Sequence, residues 1–74
     1  MKNPILDRFN QVIKNCRFYE KQGLPNSLLN EIGVLRGIYY CMEIDGVKLD
    51  DMSELMHFID IQQNMKEPLT MYHK

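Results

Sequence analysis

Apolar residues recur at spacings of three and four in the first stretch of the chain, which is the period of an α-helix rather than of a strand. Asn3 suits an N-cap, and Pro4 suits the first helical position, where a missing N–H costs nothing. Gly23 and Pro25 are stop signals at the other end. The pattern therefore predicts a first helix over residues 4–22. Its apolar stripe consists of Ile5, Phe9, Val12, Ile13, Cys16 and Tyr19.

A second helix is predicted over residues 27–45, with Asn26 or Ser27 as its cap. Because the link 23–27 is short, this helix must fold back along the first as an antiparallel hairpin. Its main stripe consists of Leu28, Ile32, Leu35, Tyr39 and Met42, and the residues beside it are Leu29, Gly33, Cys41 and Ile44. The second helix is thus apolar over much of its circumference, as is typical of the central element of a bundle.

The Asp45-Gly46 pair has two interpretations. It fits the C-terminal end of the second helix, and it also fits a type I′ turn between strands 38–44 and 47–49. We favour the helix, because the second arm of such a hairpin has only three residues and the helical period continues up to the turn.

A third helix is predicted over residues 51–66, where Asp51 and Glu54 resemble a capping box. Pro68 is expected to end it, and residues 67–74 show no period and are expected to form a loose tail. Its inner stripe is predicted to consist of Met52, Leu55, Met56 and Ile59, and it is widened by Phe58, Ile61 and Met65, which lie beside it. The predicted fold is therefore all-α, a single domain over residues 1–74 with an antiparallel hairpin and a third short helix.

Gly33 and Gly37 stand one turn apart inside the second helix, and Cys41 extends this stripe of small residues by another turn. Each glycine in a helix interior costs about 1 kcal/mol relative to alanine. Small residues at this spacing allow another helix to approach closely. That helix belongs either to the same chain or to a second copy. A chain of 74 residues has a marginal core, so we expect a homodimer.

Charge is divided unevenly along the chain, although the formal net charge is only −1. Residues 1–23 carry five basic and two acidic side chains, while residues 24–74 carry four basic and eight acidic ones. Lys14, Arg17 and Lys21 share one face of the first helix and offer a candidate nucleic-acid or partner surface. Three positive charges on a slightly acidic protein are few for binding nucleic acid, so a solvated helix face is the favoured interpretation.

Candidate chemistry is sparse. The chain has no recognisable catalytic, phosphate-binding or metal-binding motif. His57 lies three residues from both Glu54 and Asp60, but a metal site needs three or four converging ligands, so a polar surface is favoured. Cys16 and Cys41 both fall on or near apolar stripes and are predicted to be buried, reduced thiols. We therefore expect no enzyme, no metal and no cofactor.

The sequence predicts a small interaction or regulatory protein that binds an unidentified protein partner through helical surfaces. The alternative is a nucleic-acid-binding regulator that uses the basic face of the first helix. Charged residues near the start predict no signal peptide, and no uncharged run is long enough to span a membrane, so a cytoplasmic location is expected.

Overall fold

The computed structural model describes the backbone of residues 3–71 and the side chains of residues 3–65. It contains three helices: α1, Pro4–Gln22; α2, Pro25–Asp45; and α3, Ser53–Met71. No strand occurs within residues 3–71. The predicted all-α fold with three helices is confirmed.

The first helix is fixed at both ends by local hydrogen bonds. The side chain of Asn3 accepts a hydrogen bond from the backbone N–H of Ile5 at 3.1 Å, and Pro4 follows as the first helical residue. At the other end, Gly23 adopts the left-handed conformation with φ of 70°. The N–H groups of Gly23 and Leu24 donate to carbonyls of the last turn, which is the Schellman arrangement.

The end of α2 settles the question raised by Asp45-Gly46. Gly46 has φ of 75°, and its N–H donates to the carbonyl of Glu43 at 3.2 Å. The N–H of Val47 donates to the carbonyl of Met42 at 2.8 Å. These are again the two bonds of a Schellman motif, so the helix interpretation is correct and the hairpin alternative is wrong.

The start of α2 differs from the prediction. Neither Asn26 nor Ser27 is the cap, because the helix begins at Pro25 and Leu24 occupies the cap position without a side-chain hydrogen bond. The link between α1 and α2 is therefore only Gly23 and Leu24. The fixed φ of proline suits the first helical position, which allows the helix to begin without a polar cap.

The bounds of α3 also differ from the prediction. Its predicted capping box is absent: Asp51 accepts hydrogen bonds from the N–H and hydroxyl of Ser53, at 2.9 and 2.6 Å, and the helix begins at Ser53. The helix then runs through Pro68 to Met71. Proline removes one backbone hydrogen bond, but its fixed φ is close to the helical value. Residues 67–71, which were expected to form a loose tail, thus belong to α3, and residues 72–74 lie outside the described part.

The core lies mainly between α1 and α2, and α3 covers it from one side through Leu55 and Phe58. The buried apolar residues are Phe9, Val12, Ile13, Cys16, Leu28, Ile32, Leu35, Met42, Leu55 and Phe58. The predicted inner stripe of α3 is partly wrong, because Met52 and Met56 are exposed whereas Phe58 is only 1% exposed. Two overlapping stripes fit the period of this helix, and the one that buries the larger aromatic side chain faces the core.

Candidate protein-binding surface

The small-residue stripe of α2 faces solvent. Gly33, Gly37 and Cys41 are all exposed. Apart from its sequence neighbours and the backbone of α2 itself, a Cβ atom added at either glycine would meet no described atom within 4 Å. A close helix contact would bring neighbouring atoms into that space. Within the described part of the chain, the two glycines therefore serve no intrachain contact.

Three larger apolar side chains share this side of α2. Val34 is 40% exposed, Tyr40 65% and Ile44 68%. We call the resulting surface the outer face of α2, and it consists of Gly33, Val34, Gly37, Tyr40, Cys41 and Ile44. At about 100° per residue, these six positions cover an arc of about 120°, and none is charged. A solvent-facing helix surface normally carries charged side chains.

An open groove of about 460 Å³ joins the outer face to α3. Gly37 and Tyr40 of the outer face line it, and Ile59 contributes from α3. Its remaining lining residues are Arg36, Tyr39 and Glu43. The apolar surface therefore continues from α2 across the groove onto α3, and two residues of opposite charge stand in that groove.

A second depression, of about 430 Å³, shares Tyr39 and Glu43 with this groove and extends along the α2–α3 link to Met52. Burial and the charge of the nearby Glu43 carboxylate raise the pKa of the Tyr39 hydroxyl. The depression offers apolar and hydrogen-bonding contacts together.

The basic face of α1 is partly used within the fold. Lys14, Arg17 and Lys21 are exposed, but the guanidinium of Arg17 is paired with the carboxylate of Glu54 on α3. The structure thus places an acidic side chain against the middle of the predicted basic stripe. This pairing reduces the local positive charge and ties α3 to α1.

His57 takes part in a second contact between α1 and α3. Its Nε2 lies 2.9 Å from a carboxylate oxygen of Glu20. Its two candidate co-ligands point elsewhere, since Glu54 pairs with Arg17 and Asp60 accepts from Asn64 at 3.4 Å. Among the described residues, no three His, Cys, Asp or Glu side chains converge on a point where they would hold a metal ion.

The two cysteines have different environments. Cys16 is fully buried, and burial together with the nearby charges of Glu31 and Glu20 raises the pKa of its thiol to about 12. It therefore remains a neutral thiol and is not a nucleophile. Cys41 is exposed, so the prediction that it is buried is wrong, and both cysteines are free.

Two polar contacts between helices were not predicted from the sequence, one between α2 and α3 and one between α1 and α2. Arg36 donates to Gln62 of α3 at 2.7 Å, and Asn15 of α1 donates to Glu31 of α2 at 2.8 Å. The groove residues Arg36, Glu43 and Ile59 were also missed. The signal that could have found them is the pair of opposite charges seven residues apart, flanking two adjacent tyrosines.

Comparison with known proteins finds no family model, no curated protein and no solved structure that matches this chain. Among the described helices, none has both the length and the apolar character that crossing a membrane requires.

Proposed function

We propose that this chain is a non-enzymatic interaction or regulatory protein that binds protein through the outer face of α2. The observation that carries the proposal is the absence of charge on a solvent-facing arc that includes two glycines with open space above them. Contiguous exposed apolar surface on a small protein is typical of an interaction site.

The glycines support protein as the bound molecule. Their bare backbone allows a flat or helical surface to approach closely, while Tyr40 and Ile44 offer apolar anchors on either side of the approach. Tyrosine is enriched in protein interfaces, whereas the depletion of charge seen here is typical of the interface centre. Nucleic acid would instead require a concentration of positive charge.

The proposal is tested by affinity capture from the native host, with the full chain as bait and Ile44→Asp as the variant. Ile44 is 68% exposed, so the substitution should leave the fold intact while placing a charge in the outer face. We expect proteins retained by the unmodified chain to be lost with Ile44→Asp.

Phe18→Asp is the matched control, because Phe18 is 56% exposed and lies on α1. It should retain the same proteins as the unmodified chain. Equal retention by Ile44→Asp would contradict the proposal. Retention that disappears after nuclease treatment, and that requires Lys14 and Lys21, would favour the nucleic-acid alternative instead.

A further inference from the structure

We infer that the molecule that covers the outer face and the groove is a second copy of this chain, with the two α2 helices antiparallel about a two-fold axis between Tyr39 and Tyr40. This inference rests on the proposed function and names the partner for that surface. Three features of the surface carry it: the placement of its charges, the space at Gly37, and its continuation onto α3.

The charges of the groove complement each other under this symmetry. Arg36 and Glu43 both line the groove, and they lie at equal distances in sequence on either side of the Tyr39–Tyr40 midpoint. Seven residues are close to two helical turns, so both side chains stand on one side of α2, roughly 10 Å apart along its axis. In an antiparallel pair, Arg36 of each copy is opposite Glu43 of the other.

If the two α2 helices were parallel instead, the same residues would place like charges opposite each other. Each Arg36 would then face Arg36 of the second copy, and each Glu43 would face Glu43. Like charges opposed across an interface are costly. The charge pattern therefore selects the antiparallel arrangement, in which two equivalent ion pairs form at once.

The shape of the surface fits the same arrangement. A two-fold interface uses one patch twice, so the patch must supply both a projecting and a receiving part. Tyr40 projects, being 65% exposed, and the open space above Gly37 lies one turn away on the same helix. Near the two-fold axis, the ring of Tyr40 from one copy meets the space beside Gly37 of the other.

The apolar surface continues from α2 onto α3, and this continuation gives the interface enough area. A stable interface buries about 800 Å² on each partner, which a strip along one helix does not supply. The groove brings Ile59 into the same surface, and the exposed Met56 lies three residues before it on α3. In each copy, α2 and α3 therefore both contribute to the contact.

Arg36 keeps the capacity for this contact although it already donates one hydrogen bond to Gln62. A guanidinium has five N–H donors, so one bond within the chain leaves others for a carboxylate of the second copy. The bond to Gln62 also holds the Arg36 side chain at the edge of the groove.

The test is a charge swap read by sedimentation equilibrium of the full chain over about a hundredfold range of concentration. We expect a dimer for the unmodified chain. Arg36→Glu and Glu43→Arg should each weaken dimerisation at least about tenfold, because each turns two ion pairs into two repulsions. The double variant R36E/E43R should return to within about threefold of the unmodified chain, since the pairs form again in reverse.

Lys14→Glu and Asp50→Arg are the controls, since they make the same charge changes at exposed positions outside the groove. They should leave dimerisation unchanged, and circular dichroism should show every variant helical. The double variant also lacks the Arg36–Gln62 bond, so recovery cannot be attributed to that contact.

Three results would overturn the inference: a monomer at every concentration, single variants that behave like the controls, or a double variant that stays as weak as the singles. A monomer would remove the second copy as the partner. It would not by itself remove the proposed function, which depends on the separate comparison of Ile44→Asp with Phe18→Asp.

Discussion

At the residue scale, the four glycines divide into two kinds. Gly23 and Gly46 have φ near 70°, where other residues are strained, and each ends a helix. Gly33 and Gly37 lie inside α2, and no described atom of another helix lies within 4 Å of the position that a Cβ atom would take. The sequence predicted a helix end at Gly23, favoured a helix end over a hairpin turn at Gly46, and placed Gly33 and Gly37 inside a helix. It could not show that Gly33 and Gly37 face solvent, because that depends on where α1 and α3 pack.

Alanine substitutions should separate these two kinds. In a dilute, monomeric sample, Gly37→Ala should raise the free energy of unfolding by about 1 kcal/mol, because the helix gains propensity and the new methyl group has room. Gly23→Ala should lower it by about 1 kcal/mol or more, because alanine is strained at positive φ. Chemical denaturation of both variants measures the two changes.

If the outer face is an interface, the same Gly37→Ala variant should also associate less tightly. Its methyl group would fill the space above residue 37 into which the second copy packs. Gly33→Ala, placed one turn away, should resemble it in stability. A lower unfolding free energy for Gly37→Ala in the monomer would mean that the space above this glycine is filled within the chain, contrary to the structure.

At the element scale, sequence signals located the ends of α1 and the end of α2, because caps and Schellman glycines act through a few adjacent residues. They failed at the start of α3, where Glu54 pairs with Arg17 on another helix instead of closing a local capping box. They also misplaced its buried face. Met52 and Met56 fit the helical period as well as Phe58 does, and the choice depends on packing against α1 and α2.

The corrected face of α3 predicts a clear difference between two neighbouring substitutions. Phe58 is 1% exposed, so Phe58→Ala should lower the free energy of unfolding by about 3–5 kcal/mol through lost burial and a cavity. Met56 is 55% exposed, so Met56→Ala should change it by no more than about 0.5 kcal/mol.

Thermal unfolding followed by circular dichroism compares these two variants, and backbone hydrogen exchange shows whether α3 loses protection first. Phe58→Ala should increase exchange along α3 before α1 and α2 are affected, because the core lies mainly between those two helices. Comparable losses for the two substitutions would show that α3 packs by the face first predicted from its sequence.

At the scale of the whole molecule, the three helices form a flat, elongated body of 49 × 27 × 17 Å. A single helix with its side chains is about 10–12 Å across, so the body is too thin for α2 to be surrounded. The sequence correctly indicated that α2 is apolar on more than one side. Which side stays uncovered could not be predicted, because α3 approaches through long-range contacts such as Arg36–Gln62.

The central claim is that the outer face of α2, which the fold leaves uncovered, is a binding surface. The molecule proposed to bind there is a second copy of the chain. Nuclear magnetic resonance tests this claim directly, through the amide shifts of the full chain on about hundredfold dilution. We predict concentration-dependent shifts at Gly37, Tyr40 and Ile44, and none at Lys14 or Phe18 on α1. Shifts confined to α1, or a spectrum that does not change with concentration, would contradict the binding of a second copy through the outer face.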